Sequence, residues 1–326
     1  MEPRANSQEA PFAVGVDVGG TKIHAGVINR QGDVIAEHYL PTLVHQQDVI
    51  SRIIEAIECV VQKAGPAFQG TPFKGIGIGT AGQIHWETGT VQYGLDLIPG
   101  YTGTPIKSIL EQKFSLPVYV DNDVNVLALT EKYFGIGSKA RHMLCLALGT
   151  GVGGAVVIDG KLVHGSWGAA GEIGHMSVNY KGPTCICGGI GCLELYASGT
   201  GIARMMQELQ ERKGIAGNPI PIESKEVVRR WLQGDSDSTQ IMDEVIMALG
   251  AGISSLIHIL NPDAIVIGGG VAEIGEPLFG PLRDEVAKRT MPSLHKDVWI
   301  GPACMRNRSG MIGAGLQAWE YESFSL

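Results

Sequence analysis

The sequence of 326 residues is poor in positive charge, in aromatic side chains and in cysteine. Lys and Arg number 25 against 33 Asp and Glu, giving a formal net charge of -8. A surface for the phosphate backbone needs clustered basic groups, so a general nucleic-acid binder is disfavoured. No low-complexity tract is present that would argue for disorder. Met1 to Pro11 is polar and carries no signal-like apolar stretch, and no run reads as long enough to span a bilayer. The expectation is a cytoplasmic protein with no membrane and no nucleic-acid partner. Neither the P-loop spacing nor a convincing dinucleotide fingerprint occurs, which makes a Rossmann dehydrogenase a poor reading. Six cysteines without a secretion signal do not form a disulfide framework, and three of them fall within eight residues.

What the chain does have is a globular composition, 44% hydrophobic and 18% charged, and 46 glycines, many in short clusters after apolar runs. Its length exceeds the usual single core, so two domains facing each other across a cleft are expected. Phe12 to Asp17 and Ile23 to Ile28 read as a hairpin around Gly19-Gly20, Val34 to Leu40 extends the sheet, and Asp48 to Lys63 has helical spacing. A strand at Gly75 to Gly79, a helix at Ile106 to Phe114 and a buried strand at Pro117 to Val120 lead to Asp121-Asn122-Asp123 and a helix to Phe134. The opening theme then returns as Met143 to Leu148, Gly149-Thr150-Gly151 and Gly153 to Ile158. This points to an internal duplication of an α/β unit. Helical patterns follow at Gly201 to Lys213, Ser224 to Leu232 and Thr239 to Leu260, then a strand at Ala264 to Ile267 before Gly268-Gly269-Gly270, and a last helix from Gly310 to Tyr321. The expected division is a smaller domain over 1–122 plus a C-terminal helix at about 310–326, and a larger one over 123–309.

In Asp17-Val18-Gly19-Gly20-Thr21-Lys22 the paired glycines let backbone N–H groups reach phosphate oxygens, Thr21 and Lys22 add a hydroxyl and a cation, and Asp17 is placed to orient Mg²⁺. An ordinary glycine hairpin with a surface lysine is the competing reading. The turns at Gly149-Thr150-Gly151 and Gly268-Gly269-Gly270 repeat the character, the latter after a buried strand where α/β folds place ligands. Phosphoryl transfer to an alcohol needs a carboxylate within reach of the hydroxyl. Asp123 is the candidate, with Asn122 beside it as a neutral partner for a hydroxyl; a helix N-cap explains Asp123 equally well. Asp121 is the weaker rival because strand alternation turns it away from Asn122. Glu172 and His175, three residues apart, and Glu194 are groups of the kind that bind polyols, although a lone glutamate is more often solvated.

Cys185, Cys187 and Cys192 bring three thiols into a glycine-rich loop, and His175 is the nearest upstream fourth ligand for a tetrahedral Zn²⁺. The spacing is not the common zinc-finger pair, and three reduced cysteines without metal is the alternative. Such a closed site would be structural. Cys59, Cys145 and Cys304 lie in apolar contexts and read as buried packing residues.

Taken together, Asp17 to Lys22, Asn122-Asp123, Leu148 to Gly154, Glu172 to His175, Cys185 to Glu194 and Gly268 to Val271 resemble, in order, the ROK family of bacterial sugar kinases and regulators. The resemblance implies a two-domain actin-like ATPase (ribonuclease H-like) fold and an ATP- and Mg²⁺-dependent sugar kinase. It also implies Asp123 as catalytic base, Asn122, Glu172, His175 and Glu194 as sugar contacts, and His175 with the three cysteines as zinc ligands. His175 would then serve zinc and sugar through its two ring nitrogens. Pro99 to Pro105 looks like the bacterial glucokinases, whereas Val120 to Gly135 and Gly182 to Gly199 are also similar to N-acetylmannosamine kinases. Glucose to glucose 6-phosphate is the first expectation, with another hexose or N-acetylhexosamine as the alternative. A sugar-responsive repressor is disfavoured because about eleven residues precede the first strand. The family suggests a homodimer or a dimer of dimers.

Overall fold

The computed structural model describes residues 11–43, 48–65, 72–94, 98–214 and 222–321. The chain divides into two units, and the first takes in residues up to Gly135. Its strands are β1 (Phe12–Val18), β2 (Lys22–Asn29), β3 (Val34–Pro41), β4 (Phe73–Thr80), the small pair β5 (Gln83–His85) and β6 (Thr90–Tyr93), and β7 (Val118–Asn122). The main sheet is ordered β3-β2-β1-β4-β7. β1 runs antiparallel to β2, with Asp17 opposite His24, and parallel to β4. Val14, Val16, Ile23, Ile76 and Ile78 fill one core with Ile53 and Ile57. The last two lie on α1 (Val49–Ala64), which Asp48 caps through a bond from Ser51 N and which ends at Gly65 in positive φ. After α2 (Ile106–Phe114), β7 passes directly into α3 (Asp123–Phe134).

The second unit holds β8 (Met143–Leu148), β9 (Val152–Ile158), β10 (Lys161–Leu162), β11 (Ala264–Gly268) and β12 (Trp299–Pro302), ordered β10-β9-β8-β11-β12. Two antiparallel pairings followed by two parallel ones repeat the pattern of the first sheet. The duplication read from the recurring strand and glycine turn is thus a duplication of topology. Around this sheet lie α4 (Glu194–Ala197), α5 (Gly199–Arg212), α6 (Ser224–Trp231), α7 (Ser236–Leu260), α8 (Glu276–Arg289) and α9 (Pro292–His295). One expectation needs correction: α7, with 25 residues, is by length and composition apolar enough to cross a membrane. Its periodic apolar residues instead form the core, where Met242, Val245, Leu249, Ile253 and Ile257 are fully buried against α5 and α8 side chains.

Two later pieces return to the first unit: His164–Ala170, and the chain from Asn307 onward with α10 (Ser309–Glu320). α10 lies so close to the sheet that any side chain at Gly15 or Gly77 would strike the carbonyls of Met311 and Ala314. It also packs on α3, where Thr130 Oγ1 donates to Ser309 O at 2.6 Å. That packing keeps α3 with the first unit, so the units part after Gly135 and not at the expected 122/123 step. The expected helix at 310–326 ends at Glu320, and residues 322–326 lie outside the described residues.

Candidate active site

Asn122 is the last residue of β7 and the N-cap of α3, its Oδ1 accepting from Val124 N at 2.8 Å. The capping role that competed for Asp123 therefore falls to its neighbour. Asp123 opens the helix, in the turn where the backbone N–H groups favour a negative charge. Asn122 Nδ2 also donates to Gly82 O at 3.0 Å, tying the end of β7 to the turn after β4. Sequence reading passed over Gly82, since a lone glycine after a strand carries no side-chain signal. Beneath that turn Thr80 Oγ1 and the buried Tyr101 hydroxyl lie 2.9 Å apart, so Tyr101 of the Pro99 to Pro105 stretch supports the turn from inside. Asp121 faces the other way, as alternation required, and is buried in a hydrogen-bonded cluster of its own.

Asp17, near the end of β1, has its carboxyl pushed up to about 7, first by burial and next by the charge of Asp123, with Lys22 opposing. The same carboxyl rests on Gly310 at the start of α10, where any side chain would collide with it. Two carboxylates of one unit that repel each other, one of them half-buried, form a pair suited to a divalent cation. In the turn itself Gly19 N–H donates to Lys22 O at 3.0 Å and Thr42 Oγ1 donates to Gly19 O at 2.6 Å. The Gly19 amide is thus spent on the hairpin, while Thr21 and Lys22 are exposed.

In the second unit the other two glycine turns come together. Gly269, at φ +85°, sits against Leu148 at the end of β8, and Val271 N donates to Leu148 O at 3.0 Å. Gly149, which follows Leu148, accepts from Gly199 N at 2.8 Å, and Thr150 O accepts from Thr200 Oγ1 at 2.7 Å, so the start of α5 is fastened to the same turn. Glu194 joins it as well: its Oε2 accepts from Val152 N at 2.9 Å and fills the space beside Gly151. One oxygen of this residue therefore shapes a phosphate-type turn, a role its position after the cysteines did not announce.

His175 lies in a one-turn 3-10 helix, Ile173–His175, that starts after Glu172. Its ring is divided between two neighbours: Nδ1 is 3.8 Å from Cys185 Sγ and Nε2 is 4.0 Å from Glu172 Oε2. Cys187 and Cys192 bring their sulfurs to 3.6 Å, and one ligand atom from each of His175, Cys185, Cys187 and Cys192 lies within 4.8 Å of the others. A tetrahedral zinc with Zn–S near 2.3 Å and Zn–N near 2.0 Å spaces its ligands by roughly 3.5–3.8 Å, so these residues fit such an ion. The loop is closed by Cys185 N to Gly189 O and Gly188 N to Cys185 O, at 2.8 and 2.9 Å. The Gly189 N–H directed at Cys187 Sγ holds that thiol below its usual range, whereas burial pushes Cys192 up to about 12. Of the other cysteines only Cys145 is buried; Cys59 is half-buried and Cys304 is exposed, contrary to the reading of all three as core.

The ROK family model matches residues 13–320. The chain belongs to the ROK family. It is 36% identical to a glucokinase of Thermotoga maritima over 92% of this chain and 95% of that one. It is 32% identical to a xylose repressor of Caldicellulosiruptor bescii over 92% of this chain and 76% of the repressor. The crystal structure of a ROK family glucokinase from Streptomyces griseus, in complex with glucose and AMPPNP, superposes with a TM-score of 0.79 at 30% identity, covering 95% of this chain and 99% of that one. The fold is accordingly the actin-like ATPase fold of the ROK sugar kinases, and the paired sheets are its two repeats.

Proposed function

We propose that this ROK chain is an ATP-dependent hexose kinase that converts glucose to glucose 6-phosphate. The observation that carries the reading is the Asn122–Asp123 pair: Asn122 caps α3, and Asp123 stands at the first helical position, close enough for its charge to act on Asp17, in a chain similar throughout to glucokinases. Asp123 accepts the proton of the sugar 6-hydroxyl as its oxygen attacks the γ-phosphorus, the bond to the bridging oxygen breaks, and ADP leaves. Asn122, Glu172, His175 and Glu194 hold the other hydroxyls. Gly19, Gly20, Thr21 and Lys22 on one turn, and Gly149, Thr150, Gly151, Gly269 and Gly270 on the others, receive the nucleotide; Gly19, its own amide bonded to Lys22 O, shapes the first turn, while other backbone amides and Lys22 face phosphate oxygens.

Asp17 would hold Mg²⁺, which would supply charge neutralisation for the transferring phosphoryl group. His175, Cys185, Cys187 and Cys192 would hold Zn²⁺, which would supply a scaffold and no chemistry; with Nδ1 turned to the sulfurs, His175 keeps Nε2 for the sugar. We place the enzyme in the cytoplasm as a homodimer or dimer of dimers. The test is a panel of glucose, mannose, fructose, N-acetylglucosamine and N-acetylmannosamine with ATP and Mg²⁺, ranked by kcat/KM. Glucose should lead. Preference for an N-acetylhexosamine would move the assignment within the family, and sugar binding without ADP release would move it to the regulator class.

A further inference from the structure

Asp121 is 1% exposed and accepts four hydrogen bonds. Oδ1 receives the Asn122 backbone N–H at 2.8 Å and Asn125 Nδ2 at 2.7 Å. Oδ2 lies 2.7 Å from His164 Nε2 and receives the Tyr321 hydroxyl at 3.3 Å. Burial and the Asp121 charge hold the Tyr321 phenol well above its usual range, so it stays a donor. With His164 donating through Nε2–H, four donors converge on one carboxylate and its polar capacity is met. The carboxylate in turn grips the backbone N–H of Asn122 and the Asn125 side chain in the first turn of α3, the two places that fix how the helix leaves β7.

His164 is the unexpected member. It belongs to a short excursion, His164–Ala170, that the chain makes into the first unit before resuming the second at Gly171, one residue ahead of Glu172. The excursion is closed on itself by Ala170 N to His164 O at 3.2 Å and pinned by Trp86 N to Trp167 O at 3.1 Å. The Trp86 ring stacks on the His164 ring at 4.8 Å, and Tyr321 meets it edge-on at 5.8 Å. A ring fixed on two sides directs one nitrogen at Asp121.

From this we infer that His164, acting through Asp121, is a positioning residue for the phosphoryl transfer: it locks the β7–α3 junction so that Asp123 meets the sugar hydroxyl at a fixed angle. The inference rests on the kinase reading of Asp123 given above. A misplaced base costs turnover more than binding, because the lost contact is made only in the transition state.

The experiment compares wild type, His164→Phe and His164→Gln. Phenylalanine keeps a flat ring for Trp86 but has no donor; glutamine restores an N–H. His164→Phe should lower kcat on the order of tenfold with the glucose KM within about twofold, and His164→Gln should recover most of the loss. Hydrogen exchange of the amides at 122–125 should quicken in His164→Phe and return toward wild type in His164→Gln, a readout independent of activity. If His164→Phe turns over like wild type, or exchange at 122–125 is unchanged, or glutamine is no better than phenylalanine, the positioning role is wrong. If wild type itself phosphorylates no sugar, the kinase reading fails, and the exchange measurement still decides whether His164 holds the junction.

Should His164→Phe not fold, His164→Ala with added imidazole replaces it. Trp86, Asp121 and Tyr321 also line a cavity of about 260 Å³, which gives imidazole a route to the vacated position. Recovery of turnover with imidazole supports the role, and its absence in a folded variant refutes it.

Discussion

Glu194 Oε2 accepts the backbone N–H of Val152 at 2.9 Å, so a carboxylate two residues past the last zinc-type cysteine holds the glycine turn between β8 and β9. In the proposed enzyme this residue serves the sugar with one oxygen and the nucleotide turn with the other. Glu194→Ala removes a charge-assisted bond worth roughly 1.5–3 kcal/mol and leaves the Val152 amide unpaired. The KM for ATP should rise along with that for glucose. Glu194→Gln, which keeps an acceptor, should spare ATP and affect mainly the sugar. Steady-state kinetics with each substrate varied in turn checks the split.

Asp123→Asn keeps the shape of the α3 terminus, because the cap is Asn122. Turnover should fall by about 10²–10⁴ while glucose affinity, measured by calorimetry, stays near wild type. Near-wild-type turnover would remove Asp123 as the base.

Asp17 yields a pH prediction. With its carboxyl pushed up to about 7 in the folded, ligand-free protein and ordinary when unfolded, the native state binds the extra proton between the normal carboxylate range and pH 7. Stability from this group is therefore lost as pH rises through that window and stays lost above it. Asp17→Asn should stabilise the ligand-free protein by an amount that grows over the same window, on the order of 2–4 kcal/mol at most. Melting temperatures of both proteins from pH 5 to 8 should diverge upward; parallel curves would refute the assignment. Activity should be lost in the variant, since the proposed Mg²⁺ anchor would be gone.

Metal analysis of the purified protein should find about one zinc per chain. Cys187→Ser should lower both zinc content and melting temperature, and its effect on glucose KM should exceed that on ATP KM, because His175 faces the cysteines with Nδ1 and Glu172 with Nε2. Retained metal and unchanged kinetics would sink the scaffold model.

Much of this was readable from residues alone, and what escaped has physical causes. The repeated strand and glycine turn announced both sheets, because period and turn chemistry are local. The His175 cluster was legible because thiols so close in sequence cannot be far apart in space. α8 was missed: Pro277, Gly280 and Pro281 break the pattern, although Leu278, Phe279, Leu282 and Val286 all reach the core. The division of labour between Asn122 and Asp123 was invisible, since either residue type caps a helix. His164 was beyond reach for another reason: its partner Asp121 lies 43 positions earlier. A contact made by chain return leaves no spacing to read. The second task of Glu194 was hidden in the same way.

The tight seating of α10 against Gly15 and Gly77 bears on how the protein is made. A ribosome releases β1 to β7 long before it releases Ser309–Glu320, so the glycine-lined face of the first sheet stays uncovered by α10 until nearly the whole chain has emerged. The second unit is encoded in one nearly continuous stretch that ends, with β12, just before α10. The half of the enzyme that is translated first is thus the half completed last, and during that interval its open face is the surface a chaperone would have to guard.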